Sequence, residues 1–521
     1  MKKLILYLFF AFSAIISMAQ TRFEVDGLTY EILSESDRTV EVHDYDKRAS
    51  EISIPKIVFY NRMPYTVTAI GDKAFEWCFD LTSVIIPNTV TTIGNEAFHL
   101  CHGLTSIIIP NSVITIGESA FATCNGLTSV TIGNSVTTIG NKAFWLCSGL
   151  TSVTFGNSII TIGDEAFLQC NKLKSSEMPN TITTIGNRAF RECKELTSMI
   201  IPNSTTFIGE EAFYGCSGLT SVSIGNSVRN IGNSAFSHCN GLSSIIIPDS
   251  VISIGNYAFQ GCSGLTSVII PDYVKTIGEN AFAYCNELKS VIIGNSVIAI
   301  ADKTFAHCYG LTSVTIGNSV TNIGNRAFYS CNKLTSVTFG NSVNTIGNEA
   351  FWDCRELISV TLGNSVTSIG EKAFYYCYGL TSIKIGNSVN TIGNKAFYSC
   401  YNLQEFENYT KEPQQISSEV FFGVNLNSVK LIVPTYSVEK YKSADVWKEF
   451  GTIEGQDAGV GTVETDKIVV SDGMLRNLAG EDMRIYDLNG REVYSGSGSE
   501  LRLPAGLYIL QTSNGNRKVV F

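Results

Sequence analysis

The chain has 521 residues, a formal net charge of −10 and only 16% charged residues. Its lysines and arginines form no basic stripe, so it lacks the electrostatic footprint of a nucleic-acid-binding protein, and no nucleic acid partner is expected. A chain of this length usually folds as several globular domains, unless it is built from repeats that pack only on their neighbours.

Residues 1–19 have the features of a secretory signal peptide. Two lysines precede an apolar run that is too short to span a bilayer as a helix. The small residues Ser17 and Ala19 predict cleavage before Gln20. An uncleaved membrane anchor is the alternative interpretation. In either case the segment predicts export.

Residues 20–65 do not follow the periodicity of the later chain and predict an amino-terminal cap. Residues 23–30 and 39–42 alternate polar and apolar side chains, as strands around a turn do. The segment ending at Pro55 has the pattern of a repeat strand, and a hairpin insert is predicted around residues 61–64. A solenoid needs such a cap because its first core layer is otherwise exposed.

A 23-residue motif recurs over residues 66–408. Its clearest marker is cysteine, because the fifteen cysteines stand 23 residues apart without exception. They are Cys78, Cys101, Cys124, Cys147, Cys170, Cys193, Cys216, Cys239, Cys262, Cys285, Cys308, Cys331, Cys354, Cys377 and Cys400. A phenylalanine stands three residues before each cysteine and a leucine three residues after it. A fixed period of this length predicts a solenoid.

One repeat, from Leu334 onward, indicates what every repeat forms. Val337 and Phe339 are two residues apart and therefore point to one face of a strand. The return limb from Ile346 to Cys354 carries Ala, Phe and Cys at helical spacing, after an asparagine suited to a helix N-cap. The predicted fold class is an α/β solenoid, in which each repeat has a strand and a short helix or 3-10 limb.

The recurring pattern Ile-Gly-x-x-Ala-Phe-x-x-Cys-x-x-Leu-x-x-Val-x-Ile-Pro resembles the leucine-rich repeats of BspA-like bacterial surface proteins. The resemblance covers residues 66–408. It implies a secreted or cell-surface binding protein, an adhesin that contacts host or bacterial surface proteins. A long repeated strand face also makes an extended binding surface on physical grounds. A surface scaffold or glycan-binding protein is the alternative.

Residues 409–453 predict a carboxy-terminal cap. The repeat phase returns with Asn425 in the cysteine position, and a similar segment often ends the arrays of BspA-like proteins. One amphipathic helix is predicted from apolar residues at helical spacing, namely Val438, Tyr441, Ala444, Trp447 and Phe450.

A Gly-rich linker at 454–462 precedes residues 463–521, where short strands and turns predict a small all-β sandwich. The motifs at 503–508 and 515–521 resemble the carboxy-terminal sorting domain of type IX secretion cargo. The resemblance implies that the secretion machinery carries the protein to the outer cell surface, and that only anchoring would attach it to the membrane. A β-sandwich adhesive module is the alternative.

The cysteines are predicted to form a buried, reduced structural ladder with the phenylalanines. The Cα atoms of neighbouring cysteines would lie about 5 Å apart, within disulfide range, but their side chains run parallel and do not converge. Metal binding is disfavoured for the same reason. Disulfides are the alternative. Representative ladder residues are Cys78, Cys239, Cys400, Phe75, Phe236 and Phe397.

No motif in the chain indicates an enzyme. It has neither a Gly-rich phosphate loop after a strand nor a Gly-x-Ser-x-Gly elbow, and its carboxylates are scattered. His99 and His102 would share a helical face, but without a third ligand nearby we interpret them as surface residues. We therefore predict no catalytic residues, no cofactor and no metal site.

The predicted binding surface is the outward, concave face of the repeated strands. One outward row is serine, and the next alternates between isoleucine and threonine. The predicted ligand-binding residues are Ser244, Ile246, Ser267, Ile269, Ser290, Ile292, Ile85 and Ile108. Adjacent exposed isoleucines rimmed by hydroxyls indicate a protein-binding site, whereas β-propensity alone is the alternative.

The glycan alternative depends on aromatic residues of the return limbs. They are Trp145, Tyr214, Trp352, Tyr375, Tyr376 and Tyr398. Packing between successive limbs explains them equally well.

Overall fold

The computed structural model describes residues 21–175, 177–456, 468–471, 474–477, 483–487, 492–497, 500–501, 503, 507–512 and 515–520. The signal peptide predicted for residues 1–19 lies outside this part of the chain. Contacts divide the chain into two compact units, Met1–Leu196 and Thr197–Phe521. Within the described residues, no helix has the length and apolar character needed to cross a membrane.

The first unit begins with a small sheet at the predicted cap. Its strands are Arg22–Val25, Leu28–Ser34, Thr39–Tyr45, Glu51–Ser53, Ile57–Tyr60 and Met63–Ile70. The last two form the expected hairpin, and its turn residues Asn61 and Arg62 have φ of 51° and 67°. Positive φ at both positions is what a type I′ hairpin turn requires. Glu51–Ser53 pairs in parallel with the first repeat strand, Ser83–Ile85.

Each repeat contributes two strands, which we call the long strand and the short strand. In the first unit the long strands are Ser83–Ile85, Ser106–Ile108, Ser129–Thr131 and Ser152–Thr154. The short strands are Thr92–Ile93, Thr115–Ile116, Thr138–Ile139, Thr161–Ile162 and Thr184–Ile185. Equivalent strands of successive repeats pair in parallel, one repeat apart in register. In the next repeat, among the described residues, a single bridge from Ser152 to Ser175 continues the long-strand sheet.

The second unit repeats this plan. Its long strands are Ser198–Ile200, Ser221–Ser223, Ser244–Ile246, Ser267–Ile270, Ser290–Ile293, Ser313–Thr315, Ser336–Thr338, Ser359–Thr361, Ser382–Ile385, Glu405–Asn408, Lys430–Val433 and Thr452–Gly455. Its short strands are Phe207–Ile208, Asn230–Ile231, Ser253–Ile254, Thr276–Ile277, Ala299–Ile300, Asn322–Ile323, Thr345–Ile346, Ser368–Ile369 and Thr391–Ile392.

The return limbs are tight turns, so the predicted short helix or 3-10 segment is wrong. In residues 324–331, Arg326 and Ser330 have φ of 55° and 56°, values that interrupt any helix. The backbone N–H groups of Arg326, Phe328 and Ser330 donate to carbonyls of the next limb. The residues between them close turns within their own limb.

Strand spacing explains why no helix forms. Each repeat is fixed to the next by strands on two of its sides, and paired strands lie about 4.8 Å apart. An α-helix with its side chains is about 10 Å wide, so one helix per repeat would not fit. The array is therefore a parallel β-solenoid, and the α/β class is wrong in its helical part, while the repeats of about 23 residues are confirmed.

The predicted helix N-cap instead links successive repeats. The Oδ1 atom of Asn256 accepts a hydrogen bond from the backbone N–H of Glu279 at 2.9 Å, one repeat later. Asn325 does the same for Asn348, also at 2.9 Å. We call this recurring contact the asparagine ladder. It gives a hydrogen-bond acceptor to a backbone N–H group that the turn geometry would otherwise leave exposed to water.

The core of each repeat is one layer of apolar side chains. A representative layer contains Leu311, Val314, Ile316, Val320, Ile323, Ala327, Phe328 and Cys331, all of them buried. The phenylalanine rings of successive layers stack, and the centroids of Phe328 and Phe351 are 5.1 Å apart with ring planes at 9°. Since one layer alone buries little apolar surface, the core forms only when successive layers stack.

The array ends with less helix than predicted. The described residues of the carboxy-terminal cap contain one α-helix, Val438–Ser443, and the predicted continuation stops because Ala444 is extended and Val446 has φ of 68°. The 3-10 turns are Ser418–Phe421, Leu426–Ser428, Thr435–Ser437 and Trp447–Glu449. Trp447 is fully buried, and its indole N–H donates to the carbonyl of Gln414 at 2.8 Å.

The described residues near the carboxy terminus form two antiparallel sheets. Ile468–Ser471, Met474–Asn477 and Glu500–Leu501 form one. The other contains Met483–Tyr486, Glu492–Gly496, Leu507–Thr512 and Gly515–Val520. Met483, Ile485 and Leu510 are buried together, and Leu501 of the first sheet packs against them. The prediction of an all-β segment is confirmed for these residues, whereas residues 457–462 of the predicted linker lie outside the described part.

Candidate binding surface

Each unit has a long-strand face, which consists of the outward side chains of its own long strands. In most long strands the central Val, Ile or Met points into the core, so its neighbours on either side point outward. Of the predicted binding residues, Ile85, Ile108 and Ile246 are 61%, 69% and 72% exposed. Ser244 and Ser267 are also exposed. These residues lie where the strand pattern predicts.

The predicted strip of three equally exposed isoleucines is not continuous. Ile269 and Ile292 are paired in register but only half-exposed, as is Ser290. The backbone of Gly515–Val520 lies close to the neighbouring long strand Ser313–Thr315. In the second unit the most exposed isoleucines are instead Ile246 and Ile200, which lie on either side of Ser223 in register.

Hydroxyl groups border these isoleucines, but many of these hydroxyls already donate a hydrogen bond to a backbone carbonyl of the preceding repeat. The residue before the first serine of each long strand is usually threonine, and Thr128 donates to the carbonyl of Thr105 at 2.9 Å. Thr151 donates to Thr128 in the same way, also at 2.9 Å. The free lone pairs of these hydroxyls therefore remain to accept hydrogen bonds from a partner.

The carboxy-terminal end of the long-strand face is charged. Lys384 pairs with Glu407 at 3.0 Å and lies over the ring of Tyr409, 5.0 Å from its centroid. Burial, followed by the hydrogen bond to Glu407, raises the pKa of Tyr409 to about 12. A partner of this face would meet isoleucines on some strands and an ion pair on others.

The return limbs of the second unit carry a continuous aromatic row. It consists of Tyr284, His307, Tyr329, Trp352, Tyr375, Tyr398 and Phe422. The rings of Trp352 and Tyr375 lie 4.2 Å apart and those of Tyr375 and Tyr398 lie 4.6 Å apart, both stacked. Because these ring faces cover one another, they are not free to stack on a sugar, which favours the packing interpretation.

His99 has the third neighbour that sequence reasoning did not find. Its Nδ1 lies 3.2 Å from Glu76 and 3.9 Å from Glu96. His102 shares no helix with it and stacks on Phe79 at 5.2 Å. The repeat length could have predicted this contact, because Glu76 stands 23 residues before His99 and therefore occupies the equivalent position in the preceding repeat.

A second cluster of the same composition lies in the cap. Glu31, Glu41 and His43 place donor atoms within 4.8 Å of one another. Strand alternation puts Glu41 and His43 on one face, but only the pairing of two cap strands adds Glu31. Sequence reasoning missed this cluster because it did not predict which residues of the two cap strands lie opposite each other.

All fifteen cysteines are buried, and none of them forms a disulfide. From Cys101 onward, most thiols donate to the carbonyl of a phenylalanine in the preceding repeat, as Cys262 does to Phe236 at 3.2 Å. Burial raises the pKa of Cys262 and of Cys308 to about 12. Such thiols are almost entirely protonated at neutral pH and are poor nucleophiles or metal ligands.

Comparison with known proteins identifies the repeats. The family model of the BspA type leucine-rich repeat region matches in six copies, over residues 68–197, 183–312 and 298–427. It describes a repeat scaffold and indicates no catalytic activity. No curated protein matches the chain.

Several solved structures are similar. A leucine-rich repeat protein from Bacteroides ovatus is 28% identical with a TM-score of 0.52, covering 76% of this chain and 99% of its own. A leucine-rich cell surface protein from Faecalibacterium prausnitzii is 26% identical with a TM-score of 0.36, covering 74% and 94%. Because the family model spans residues 68–427, well over half of the chain, this protein belongs to the BspA-type leucine-rich repeat family.

Proposed function

We propose that this protein is an exported bacterial surface protein whose long-strand face binds another protein, as an adhesin does. The observation that carries the proposal is the exposure of Ile85 and Ile108 in the first unit and of Ile246 in the second, each more than 60% exposed among outward side chains otherwise rich in hydroxyls. Apolar side chains rimmed by polar groups are typical of protein interaction sites. Membership of a repeat family that forms binding scaffolds supports the same role.

The exposed isoleucines have the right chemistry for a modest protein interface. Burying one such side chain fully is worth roughly 1.5–3 kcal/mol. Hydroxyl lone pairs beside them accept hydrogen bonds, and the ion pair of Lys384 with Glu407 would contribute mainly orientation. We expect a partner with apolar side chains and backbone or amide donors spaced along an extended surface.

Export is part of the proposal. Its supports are the signal-peptide pattern of residues 1–19 and the resemblance of residues 463–521 to a type IX sorting domain. The described strands near the carboxy terminus are compatible with such a domain, since they form two antiparallel sheets.

A binding panel tests the proposed function. The purified protein is passed over immobilised extracellular-matrix proteins, bacterial surface proteins and polysaccharides, and binding is measured by surface plasmon resonance. We expect saturable binding to at least one protein and none to polysaccharides. Binding confined to polysaccharides would replace the protein-binding role by the glycan-binding alternative.

A further inference from the structure

A local loss of exposure interrupts the long-strand face of the second unit. In the long strands that begin with serine, the third residue points outward, and in most of them it is exposed. The exceptions are Ile269, Ile292 and Thr315, which are all partly buried. Ile246 before them is 72% exposed, and Thr338 after them is also exposed. The loss of exposure is therefore confined to three consecutive repeats, which we call the covered row.

The sheet itself does not bury these side chains. Thr315 is paired in register with Ile292 on one side and with Thr338 on the other. Thr131 of the first unit likewise has an isoleucine on one side and a threonine on the other, in the same register, yet it is exposed. Because the same neighbours leave Thr131 open to water, the cover over Thr315 comes from outside the sheet.

The carboxy-terminal strand Gly515–Val520 lies at this position. Its Cα atoms come within 8 Å of those of Ser313–Thr315. Two sheets packed face to face are about 10 Å apart, so these two backbones are too close for another chain to pass between them. Among the described residues, Gly515–Val520 pairs only with Leu507–Thr512, which leaves its other edge free to approach the array.

The connection between the array and this strand is long enough for the contact. Six strand steps lead from Thr452–Gly455, the last long strand, back to Ser313–Thr315, a distance of about 29 Å at about 4.8 Å per step. The eleven residues 457–467 can span about 36–40 Å when extended. A segment tethered in this way has an effective concentration in the millimolar range. A weak contact is therefore enough to keep it in place.

We propose that the strand Gly515–Val520 covers Ile269, Ile292 and Thr315 and keeps a protein partner from them, so that the carboxy-terminal segment regulates the long-strand face. This inference rests on the proposed protein-binding role of that face. While the strand is in place, a partner meets Ile246 but not the three repeats that follow it. Displacing or removing the segment uncovers two more isoleucines beside Ile246 and lengthens the apolar surface.

Thiol labelling tests whether the strand covers the row. The native cysteines are buried, so a cysteine introduced at the surface reacts selectively with a maleimide. In the full chain, Thr315→Cys should react at least about fivefold more slowly than Thr338→Cys, the matched control one repeat later. In a chain that ends at residue 462, the rates of the two variants should agree within about twofold.

The shortened chain keeps the cap of its array. Trp447 is fully buried, and Thr452–Gly455 still closes the long-strand sheet. Circular dichroism checks that the shortened chain is folded. A second form of the full chain carries a protease site within residues 457–462. Cleaving the folded protein there removes the tether without refolding the array, and it should accelerate the labelling of Thr315→Cys in the same way.

Affinity measurements test the regulatory consequence. The full and shortened chains are compared on the same panel of immobilised matrix and bacterial surface proteins. The shortened chain should bind at least about threefold more tightly to whichever protein the full chain binds, because a larger fraction of its long-strand face is competent to bind. Combining Ile269→Thr with Ile292→Thr in the shortened chain should abolish this gain.

The outcomes separate the cover from its function. Equal labelling rates of Thr315→Cys and Thr338→Cys in the full chain would overturn the cover, as would slow labelling of Thr315→Cys that persists after the segment is removed. Equal affinities of the full and shortened chains would overturn the regulatory role. If neither chain binds any protein, the proposed function fails and the regulatory role fails with it, while the labelling rates still decide whether the strand covers the row.

Discussion

At the residue scale, the position that determines the core is the phenylalanine of each return limb. Phe236 is fully buried, and its ring stacks between those of Phe213 and Phe259 at 5.2 and 5.4 Å. We expect Phe236→Ala to lower the free energy of unfolding by about 3–5 kcal/mol, because it opens a cavity that neighbouring layers cannot close. Chemical denaturation followed by circular dichroism measures the change.

The control for this substitution is a phenylalanine outside the stack. Phe59 is 64% exposed on the cap hairpin, so Phe59→Ala should change stability by no more than about 0.5 kcal/mol. Equal losses in the two variants would mean that stacking of the phenylalanines does not hold the array together.

At the element scale, the asparagine ladder stabilises each return limb against the next. Asn256→Ala removes the acceptor for the backbone N–H of Glu279 and should cost about 0.5–1.5 kcal/mol. Asn256→Asp keeps the acceptor oxygen, and Asp164 and Asp302 already serve in this position. Thermal unfolding of both variants is the measurement. An Asn256→Ala protein that unfolds at the same temperature as the wild type would show that this hydrogen bond contributes nothing to stability.

The return limb also shows how far the sequence predicts the fold. The period placed Phe328 and Cys331 in the core correctly, because both occupy fixed positions of every repeat. Helical spacing within one limb was misleading, since three apolar residues over one turn fit either a helix or a tight turn. The deciding constraint was the strand spacing between repeats, which no single limb contains.

The exposure of residues in the candidate site was predictable only where the inward and outward alternation of side chains along a strand determines it. Exposure of Ile85 and Ile246 follows from the strand pattern. The partial burial of Ile269 does not, because it depends on what lies around the strand rather than on its own sequence. The glutamate and histidine cluster of the cap required a register between two antiparallel strands, which their sequences leave open.

At the scale of the whole molecule, the carboxy-terminal segment is proposed to act in export and not in folding of the array. Deleting residues 463–521 should leave the thermal unfolding of the purified array unchanged, because its cap is completed by Trp447 and the strand Thr452–Gly455. In the native cell the truncated protein should remain inside. Cell fractionation checks this, and normal surface display would exclude a sorting role.

The central claim is that the long-strand face binds another protein, and a matched pair of variants tests it. The triple substitution Ile85→Thr, Ile108→Thr and Ile246→Thr removes three exposed isoleucines, and threonine already occupies this position in other repeats, as at Thr131 and Thr338. The control makes the same change at Ile114, Ile160 and Ile298, which are 47–57% exposed away from that face. Both proteins should fold as the wild type does.

The most direct measurement is the affinity of these two variants and the wild type for the same panel of immobilised surface and matrix proteins. We predict that the long-strand variant loses at least tenfold in affinity for whichever protein the wild type binds, while the control binds within twofold of wild type. Full binding by the long-strand variant, equal loss in both variants, or no protein binding by the wild type would contradict the proposed role of this face.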